Sequence, residues 1–412
     1  MRFRTLPPAG TPVRALDLLR WAARGASATS GEDRLARAME RRFDVPFAFP
    51  TSTGRAGLAL LLRALQEAQP TPRRFVIVPG YTCYSVAASV VLAGLQPYPV
   101  DVDVRTLDYD ADALARAPVD AALAIIATNL YGLPNDLPRL ERTAAAAGAH
   151  LIDDAAQAMA ATVGGRPSGT WGAAGLFSFD KGKNVAAVDG GVVVVRDAAV
   201  ADRLRQLLAG APRVSAAQRA VHGLKAVAYA ALLHPRIYWL PSQLPQLELG
   251  LTRFDTTYPL GRIDPGLAAL AEVMLGRLSA VTAARQGNAA ALRDRLVGAS
   301  AVTPIQPVPQ SSPVYLRFPL LADSATHRDE VLARLRAGGL GATASYPAAL
   351  VDVPDLQPLL PAGVPATPQA RDVAARILTL PTHPFVSARD LDAMAAVLRG
   401  EAAAGYGEER LA

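Results

Sequence analysis

The sequence predicts an α/β fold in which a mainly parallel central sheet is covered by helices and followed by a smaller C-terminal α+β domain. Strand and helix patterns alternate between residues 56 and 195, and the strand patterns are continuously apolar. Strands buried on both faces of a parallel sheet have this composition, whereas half-exposed strands alternate apolar with polar residues. After residue 302, short strands and helices follow one another, which indicates the second, smaller domain.

The elements of the first part follow in chain order. Helical patterns at 13–25 and 31–43 open the chain, and a polar turn at 51–54 leads into an apolar helix at 56–65. The remaining elements predicted up to residue 195 are strands at 75–79, 96–102, 122–128, 149–153, 175–179 and 191–195, and helices at 84–95 and 138–148.

The second part begins after an apolar insertion at 201–257, which contains a helical stretch at 221–233. One long helix is predicted from Asp264 through Arg295. A strand pattern at 314–321 and helices at 327–338 and 388–400 complete the chain. We therefore assign residues 1–258 to an N-terminal arm and a large domain, and residues 259–412 to the long helix and a small domain.

The composition limits the class of protein. Of the 412 residues, 51% are hydrophobic and 19% are charged, which allows a large core. The longest uncharged stretch, 75–100, is interrupted by Pro, Gly, Gln and hydroxyl residues, which argues against a transmembrane helix. The single cysteine, Cys83, excludes an internal disulfide, and the first residues lack the apolar core of a secretory signal. We therefore expect a cytoplasmic protein.

The formal net charge of +6 comes mostly from scattered arginines, with no Lys/Arg run, so no nucleic-acid partner is indicated. Such a charge also suits a phosphorylated cofactor or a nucleotide-linked substrate. Only three lysines occur, namely Lys181, Lys183 and Lys225. Because arginine stays protonated and does not readily form an imine, these lysines are the candidates for such chemistry. No metal site is predicted.

The loop at 180–190 could carry a reactive lysine. It follows a predicted strand, at the edge where a parallel sheet opens its binding crevice. A lysine there can form an imine with an aldehyde cofactor, and Ser178 could donate to a phosphate. From the loop alone, solvated surface lysines are the stronger interpretation, and local chemistry does not separate Lys183 from Lys181.

Two further segments could bind parts of a cofactor. Asp153 and Asp154 end a buried strand, where Asp154 could face a pyridine nitrogen and Asp153 could cap a helix or bind within the protein. The turn at 51–57 precedes an apolar helix, whose N-terminus can bind a phosphate. Simple helix capping explains either segment taken alone, and the turn lacks the Gly-Lys-Ser/Thr of a P-loop.

The order of these segments resembles the DegT/StrS family of sugar aminotransferases, which are pyridoxal-phosphate (PLP) enzymes of fold type I. The resemblance covers residues 5–400 and rests on the following segments: FPTSTGRAGLALLLRAL, VIVPGYTCYSVAASVVLAGLQPYPVDVDVRTLDYD, ATNLYGLPNDL, LIDDAAQAMAATVGGRPSGTWGAAGLFSFDKGKN and DGGVVVV.

The resemblance implies a role for each matching residue. Lys183 corresponds to the Schiff-base lysine, because it lies five residues after Ser178 and directly before Asn184. The other implied cofactor contacts are Asp154 at the pyridine nitrogen, Gln157 near the phenolic oxygen, and Ser178, Gly54 and the backbone amide of Arg55 at the phosphate. Asn184 is a further residue of the implied cofactor site.

Two positions depart from the family pattern. The residue that usually stacks on the cofactor ring is aromatic in the family but is Cys83 here, which leaves Tyr84 or Tyr81 for the stacking. The family's Asn-x-Arg segment, which reaches the cofactor phosphate of the neighbouring subunit, reads Leu260-Gly261-Arg262 here. The cross-subunit contact is therefore in doubt.

The implied function is transfer of an amino group, from glutamate as the expected donor, to a nucleotide-linked keto-sugar by a homodimer with shared active sites. Three alternatives stay open: a PLP-dependent sugar dehydratase, against which Lys183 argues because those relatives usually carry His there; a non-sugar aminotransferase; and a non-catalytic binding or scaffold protein. Residues 215–250 could pack on the dimer, line the substrate pocket, or contact a membrane surface, since Lys225, Arg236, Tyr238 and Trp239 border the apolar helix.

Overall fold

A seven-stranded sheet forms the centre of the computed structural model, which describes residues 4–25, 30–69, 72–243 and 253–401. The strand order is β1-β9-β8-β5-β4-β2-β3. Six strands run in one direction, and β9 runs against them because it pairs antiparallel with both β1 and β8. The strands are β1 (Phe47–Thr51), β2 (Phe75–Pro79), β3 (Gln96–Val100), β4 (Ala122–Thr128), β5 (His150–Asp154), β8 (Ala174–Ser178) and β9 (Gly191–Val195), with the short β6 (Thr162–Val163) and β7 (Arg166–Pro167) outside this sheet.

Helices cover both faces of the sheet, which explains why its strands are continuously apolar. In β9, Val193 and Val195 pack with α3 (Gly54–Ala68) on one face, whereas Val192 and Val194 pack on the other. The remaining helices of this region are α1 (Ala15–Gly25), α2 (Gly31–Phe43), α4 (Tyr84–Leu92), α5 (Ala111–Arg116), α6 (Leu137–Ala146), α7 (Ala198–Ala209), α8 (Ala216–Leu232) and α9 (Pro235–Ser242).

The C-terminal part forms a smaller α+β unit, as predicted. Its antiparallel sheet has the order β10-β12-β13, with β11 pairing instead with β6. The elements are β10 (Val302–Pro304), β11 (Ser311–Ser312), β12 (Arg317–Ala322), β13 (Ile377–Pro381), α12 (Ala325–Ala337), α13 (Pro368–Arg376) and α14 (Ala388–Leu398). The domain boundary between residues 258 and 259 stays a prediction.

The single long helix expected from Asp264 through Arg295 is wrong. The structure has two helices, α10 (Pro265–Leu275) and α11 (Leu278–Arg295), which meet at an angle of 61°. Glycine is a poor helix former, and Gly276 lies at the break. The next residue, Arg277, donates to the Pro12 carbonyl and to the Asp17 carboxylate at 2.6 Å each, so the break is held by the N-terminal segment.

No single described helix is long and apolar enough to cross a membrane. Among the described helices, only α10 and α11 taken together reach that length and composition, and they do so as a bent pair. The insertion predicted at 201–257 is seen as α7, α8 and α9, and its residues 244–252 lie outside the described part of the chain.

Candidate active site

A cavity of about 710 Å³ lies beside the loop that follows β8. Because β5 and β8 are parallel neighbours, Asp154 and Ser178 end at the same edge of the sheet. The large domain contributes Cys83, Tyr131, Gln157, Asp180, Lys181, Gly182 and Lys183 to the cavity wall, the insertion contributes Lys225, Ala228, Tyr229, Leu232, Leu233, Tyr238 and Pro241, and the remaining wall is Pro8, Ala9, Leu316, Arg317, Ser345 and Tyr346.

All three lysines of the chain line this cavity. Lys183 is half-buried, whereas Lys181 and Lys225 are exposed. The main chain of Lys183 is fixed on both sides, since its N–H donates to the Asp180 carbonyl at 2.9 Å and its carbonyl accepts from the Thr11 hydroxyl at 2.8 Å. The loop is therefore held by the protein while the Lys183 amine faces the cavity.

Asp153 is buried and bound within the protein, as one of its two predicted roles requires. One oxygen accepts from the Asn129 amide at 2.7 Å, and the other accepts from the Gly169 N–H at 2.5 Å. Burial, opposed by these hydrogen bonds and reinforced by the charge of Asp154, raises the pKa of Asp153 above its usual range.

Asp154 is also buried but has fewer partners. Its Oδ1 accepts from the Ala156 N–H at 3.0 Å, and no residue in the described part of the chain donates to its Oδ2. Burial raises the pKa of Asp154 to about 6, opposed by that N–H and by the nearby charge of Lys183. A protonated ring nitrogen placed against Oδ2 would supply the missing partner and favour the ionised carboxylate.

The N-terminus of α3 lies against the end of β8. Thr53 caps the helix through a 2.9 Å hydrogen bond from the Ala56 N–H to its Oγ1. The backbone N–H groups of Gly54 and Arg55 have no acceptor among the described residues. A Cβ at Gly54 would lie 3.1 Å from the Ser178 Cβ, so glycine brings these free amides close to the serine hydroxyl. Two amides and a hydroxyl at a helix N-terminus form a phosphate-binding arrangement.

The Arg55 side chain does not join this arrangement. Its guanidinium lies 4.3 Å from the centre of the Tyr258 ring, and its Nη1 is 3.4 Å from the Asp255 carboxylate. Arg55 therefore contributes its main chain to the helix N-terminus and directs its charge towards the C-terminal end of the insertion.

Gln157 links two tyrosines on the cavity wall. Its Oε1 accepts from the Tyr131 N–H at 2.8 Å, and its Nε2 donates to the Tyr346 hydroxyl at 3.0 Å. Tyr131 has a positive φ of 58°, which is strained for a residue with a side chain. The sequence reasoning assigned no role to Tyr131, although it lies in the quoted segment after β4, and no signal marked Tyr346.

The aromatic residues expected to replace the missing stacking ring lie away from the cavity wall. Tyr81 is fully buried, and its hydroxyl is 3.2 Å from that of Tyr131. Tyr84 is buried as well, and its hydroxyl accepts from the Ala348 N–H at 2.9 Å. Cys83 lines the cavity, whereas Tyr81 and Tyr84 do not, and the residue that stacks on the cofactor ring stays a prediction.

Asn184 and Arg262 make contacts within the chain. The Asn184 amide donates to the Met159 carbonyl at 3.1 Å and is buried, so it holds the lysine loop against the segment after β5. Arg262 forms an ion pair of 2.8 Å with Glu32. The predicted contact of Arg262 with a neighbouring subunit's cofactor stays a prediction.

A model of the DegT/DnrJ/EryC1/StrS aminotransferase family matches residues 13–399. The UDP-N-acetyl-3-dehydro-alpha-D-glucosamine 3-aminotransferase of Acidithiobacillus ferrooxidans is 29% identical over 351 residues, which are 84% of this chain and 82% of that relative. An L-glutamine:2-deoxy-scyllo-inosose aminotransferase of Streptomyces kanamyceticus is 35% identical over 198 residues, 48% of this chain and 46% of the relative.

The crystal structure of S. venezuelae DesV superposes with a TM-score of 0.75 at 24% identity, covering 97% of this chain and 96% of that one. This likeness confirms the predicted fold, that of the fold-type-I PLP-dependent transferases. The family model and the relatives together confirm the prediction of an aminotransferase. The chain belongs to the DegT/DnrJ/EryC1/StrS aminotransferase family, whose members depend on PLP.

Proposed function

We propose that this aminotransferase transfers an amino group from an amino-acid donor, with glutamate as the expected donor, to a nucleotide-linked keto-sugar, with PLP attached to Lys183. One observation carries the proposal: Lys183, the unpartnered oxygen of Asp154, and the Gly54–Ser178 cradle lie at the same edge of the sheet, at or just after the ends of β5 and β8 and at the start of α3. Each suits a different part of the cofactor.

The residues present fit PLP group by group. The free amides of Gly54 and Arg55 and the Ser178 hydroxyl suit its phosphate, because they are neutral donors at the positive end of a helix. Asp154 suits a protonated pyridine nitrogen, and the amine of Lys183 suits an aldehyde. Gln157, which lines the same cavity, is the residue that the family resemblance assigns to the ring's phenolic oxygen.

Bound PLP supplies an electron sink for a carbanion at the carbon that carries the amino group. Lys183 would hold the cofactor through its amine, and that amine, once free, would move the proton between the substrate Cα and the cofactor. A single positioned lysine serves both halves of the reaction because it acts as a base in one direction and an acid in the other. Asp154 would hold the ring nitrogen in its protonated form.

The acceptor is proposed from the relatives and from the cavity. The A. ferrooxidans relative is named for a UDP-linked 3-dehydro sugar. The exposed Lys181 and Lys225 give the cavity a positive rim that suits the diphosphate of such a substrate. A second candidate is a free cyclitol ketone, which is favoured by the S. kanamyceticus relative and requires no diphosphate site. The dehydratase alternative is disfavoured because Lys183 is present.

We also propose a homodimer. α8 directs Lys225 and Tyr229 into the cavity while Val221, Leu224 and Val227 stay exposed, and Leu224 is 71% exposed. α1 continues this apolar surface with Leu16 and Leu19, since Trp21 lies beside Gly223 of α8. A surface of this kind favours association. Light scattering after size-exclusion chromatography tests it, and a monomer at micromolar concentration would contradict the proposal. A cytoplasmic location stays a prediction.

The cofactor assignment is tested by absorption spectroscopy of the purified protein with PLP. The wild type and Lys181→Ala should show the visible band of a PLP–lysine linkage, and Lys183→Ala should lack it. Lys181→Ala is a matched control because it removes a lysine two residues away on the same cavity. A wild type without the band, or a band retained in Lys183→Ala, overturns the assignment.

The acceptor is identified by incubating the PLP-loaded protein with L-glutamate or L-glutamine and a panel of keto-substrates. The panel contains UDP- and dTDP-linked keto-sugars and 2-deoxy-scyllo-inosose. Formation of an aminated nucleotide sugar supports the first candidate, and amination of the cyclitol alone replaces it with the second.

A further inference from the structure

The apolar insertion forms one wall of the candidate active-site cavity. The residues of α8 that line the cavity are Lys225, Ala228, Tyr229 and Leu232. Their spacing of three and four residues places them on one face of the helix, so α8 presents a single continuous face to the cavity. Tyr238 of α9 lies on the same wall. The wall therefore combines a cation, aromatic rings and apolar carbon.

This face of α8 is fixed against the lysine loop. The Tyr229 hydroxyl donates to the Lys181 carbonyl at 2.6 Å and accepts from the Thr11 N–H at 3.2 Å. Lys225 precedes Tyr229 by four residues, which corresponds to about 6 Å along the helix axis. The anchored tyrosine therefore places Lys225 one helical turn away from the loop, in a position that the fold determines.

Lys225 has no counter-charge among the described residues, where it forms neither an ion pair nor a hydrogen bond. The sequence from 203 to 247 contains arginine and lysine but neither aspartate nor glutamate. Asp180 is the only acid among the described residues of the cavity wall, whereas the basic ones are Lys181, Lys183, Lys225 and Arg317. The insertion thus adds positive charge to a cavity with a single carboxylate, which favours a ligand with several negative charges.

Tyr238 gives the same wall an aromatic surface. Its side chain is half-buried, and its hydroxyl forms no hydrogen bond with any residue in the described ranges. Leu232, Leu233 and Pro241 add apolar surface to this wall, and Leu232 is 40% exposed. An aromatic ring in such surroundings can stack on a nucleobase of any kind, because every base has a flat π-face.

We propose that the insertion forms a nucleoside-diphosphate site within one chain, in which Lys225 binds the diphosphate and Tyr238 stacks on the base. This inference rests on the proposed function and names the residues that select a nucleotide-linked acceptor over a free cyclitol. In a nucleotide sugar, the sugar ring separates the diphosphate from the keto carbon. A cation one helical turn from the lysine loop suits that separation, since the keto carbon belongs at Lys183. The flexible stem of Lys225 lets its ammonium group follow either phosphate.

Binding of UDP to the PLP-loaded protein tests the site, by calorimetry for UDP and by ligand-observed NMR for uridine. Lys225→Gln should weaken UDP binding about 10-fold, because a charge-assisted contact with phosphate is lost. Its affinity for uridine, which has no phosphate, should equal that of the wild type. Lys225→Arg should keep most of the UDP affinity because it keeps the charge. Tyr238→Ala should weaken UDP and uridine binding alike, by about 10-fold, because stacking does not involve the phosphates.

Arg219→Gln is the matched control. Arg219 also lies on α8 and is exposed, but it is not part of the cavity wall, so its replacement removes one positive charge from the same helix without touching the site. This variant should bind UDP and uridine as the wild type does. Every variant should keep the absorption band of the PLP–lysine linkage, which shows that the cofactor site is folded and loaded.

The outcomes separate the two proposals. If the wild type and Lys225→Gln bind UDP equally well, the diphosphate binds elsewhere and only the present inference is overturned. An equal loss of UDP and uridine binding in Lys225→Gln also overturns it, because Lys225 would then support the site without recognising phosphate. A PLP-loaded wild type that binds neither UDP nor dTDP overturns the inference together with the nucleotide-linked acceptor. A wild type without the cofactor band overturns the proposed function itself.

Discussion

The hydroxyl of Thr11 donates a 2.8 Å hydrogen bond to the main-chain carbonyl of Lys183, although 172 residues separate them in the sequence. Thr11 is in turn held by Arg285, whose Nη2 reaches the Thr11 hydroxyl at 3.3 Å and the Gly10 carbonyl at 2.8 Å. The N-terminal segment therefore forms part of the support of the lysine loop.

Replacing Thr11 by Val should loosen this support. Loss of a buried hydrogen bond that leaves a carbonyl unpaired destabilises a protein by about 1–3 kcal/mol. We expect a lower melting temperature and weaker PLP binding in Thr11→Val, whereas Thr11→Ser should keep both. Thermal unfolding and PLP titration measure the two effects. Wild-type behaviour of Thr11→Val would show that the loop does not depend on this contact.

Replacing Arg285 by Met should destabilise the whole fold. Arg285 is fully buried and donates to the Leu316 and Gly10 carbonyls, at 2.8 Å each, so its removal leaves both carbonyls without this donor. We expect a loss of about 3 kcal/mol in the free energy of unfolding, measured with urea. The exposed Arg203→Met is the control and should change stability little. Similar stabilities of the two variants would contradict the structural role of Arg285.

Replacing Gly54 by Ala should weaken PLP binding. The added Cβ would lie 3.1 Å from the Ser178 Cβ and 3.3 Å from its hydroxyl, which places a methyl group in the proposed phosphate cradle. We expect the dissociation constant of PLP to rise at least about 10-fold, or about 1.4 kcal/mol. Gly287→Ala in α11 is the control, because a Cβ there meets nothing within 4 Å. Equal PLP affinity in both variants would place the phosphate elsewhere.

Asp154 gives a pH-dependent prediction for the protein without PLP. Its pKa rises from 3.8 to about 6 on burial, so the folded state binds this proton more tightly than the unfolded state does. The wild type should therefore lose stability relative to Asp154→Asn as the pH rises from about 4 to about 6. Above about pH 6, the difference in stability between the two proteins should stay constant. A pKa that differs by about two between the folded and unfolded states corresponds to about 3 kcal/mol in the free energy of unfolding. Unfolding curves of both proteins across this range measure the difference, and a difference independent of pH would be inconsistent with a raised pKa.

The sequence predicted the elements that local patterns determine. The strand at 75–79 and the helix at 31–43 match β2 and α2 residue for residue, because apolar runs and caps are local signals. The break at Gly276 was missed because Arg277 is held by Pro12 and Asp17, residues far away in the chain. The strands and helices of the α/β sheet could therefore be predicted from the sequence, whereas a bend that depends on a distant contact could not.

The residues of the candidate site also fall into a group that the sequence could predict and a group that it could not. Lys183, Asp154 and Ser178 lie at strand ends or in the following loop, so sheet topology alone brings them together. Arg317 and Tyr346 come from the C-terminal unit, and only tertiary packing brings them to the cavity. One signal could have found Arg317, namely a single charge within an apolar strand. Tyr346 is preceded by a residue with positive φ and carried no comparable signal.

The gathering of all three lysines around one cavity has a practical consequence. Apart from the chain's terminal amine, every primary amine of the protein belongs to that cavity, since arginine supplies the basic charge elsewhere. Amine-directed labels on the lysines would therefore report on access to the cavity and its rim. Mass spectrometry after such labelling, with and without a candidate ligand, would show whether the ligand protects these lysines and therefore whether it binds in the cavity.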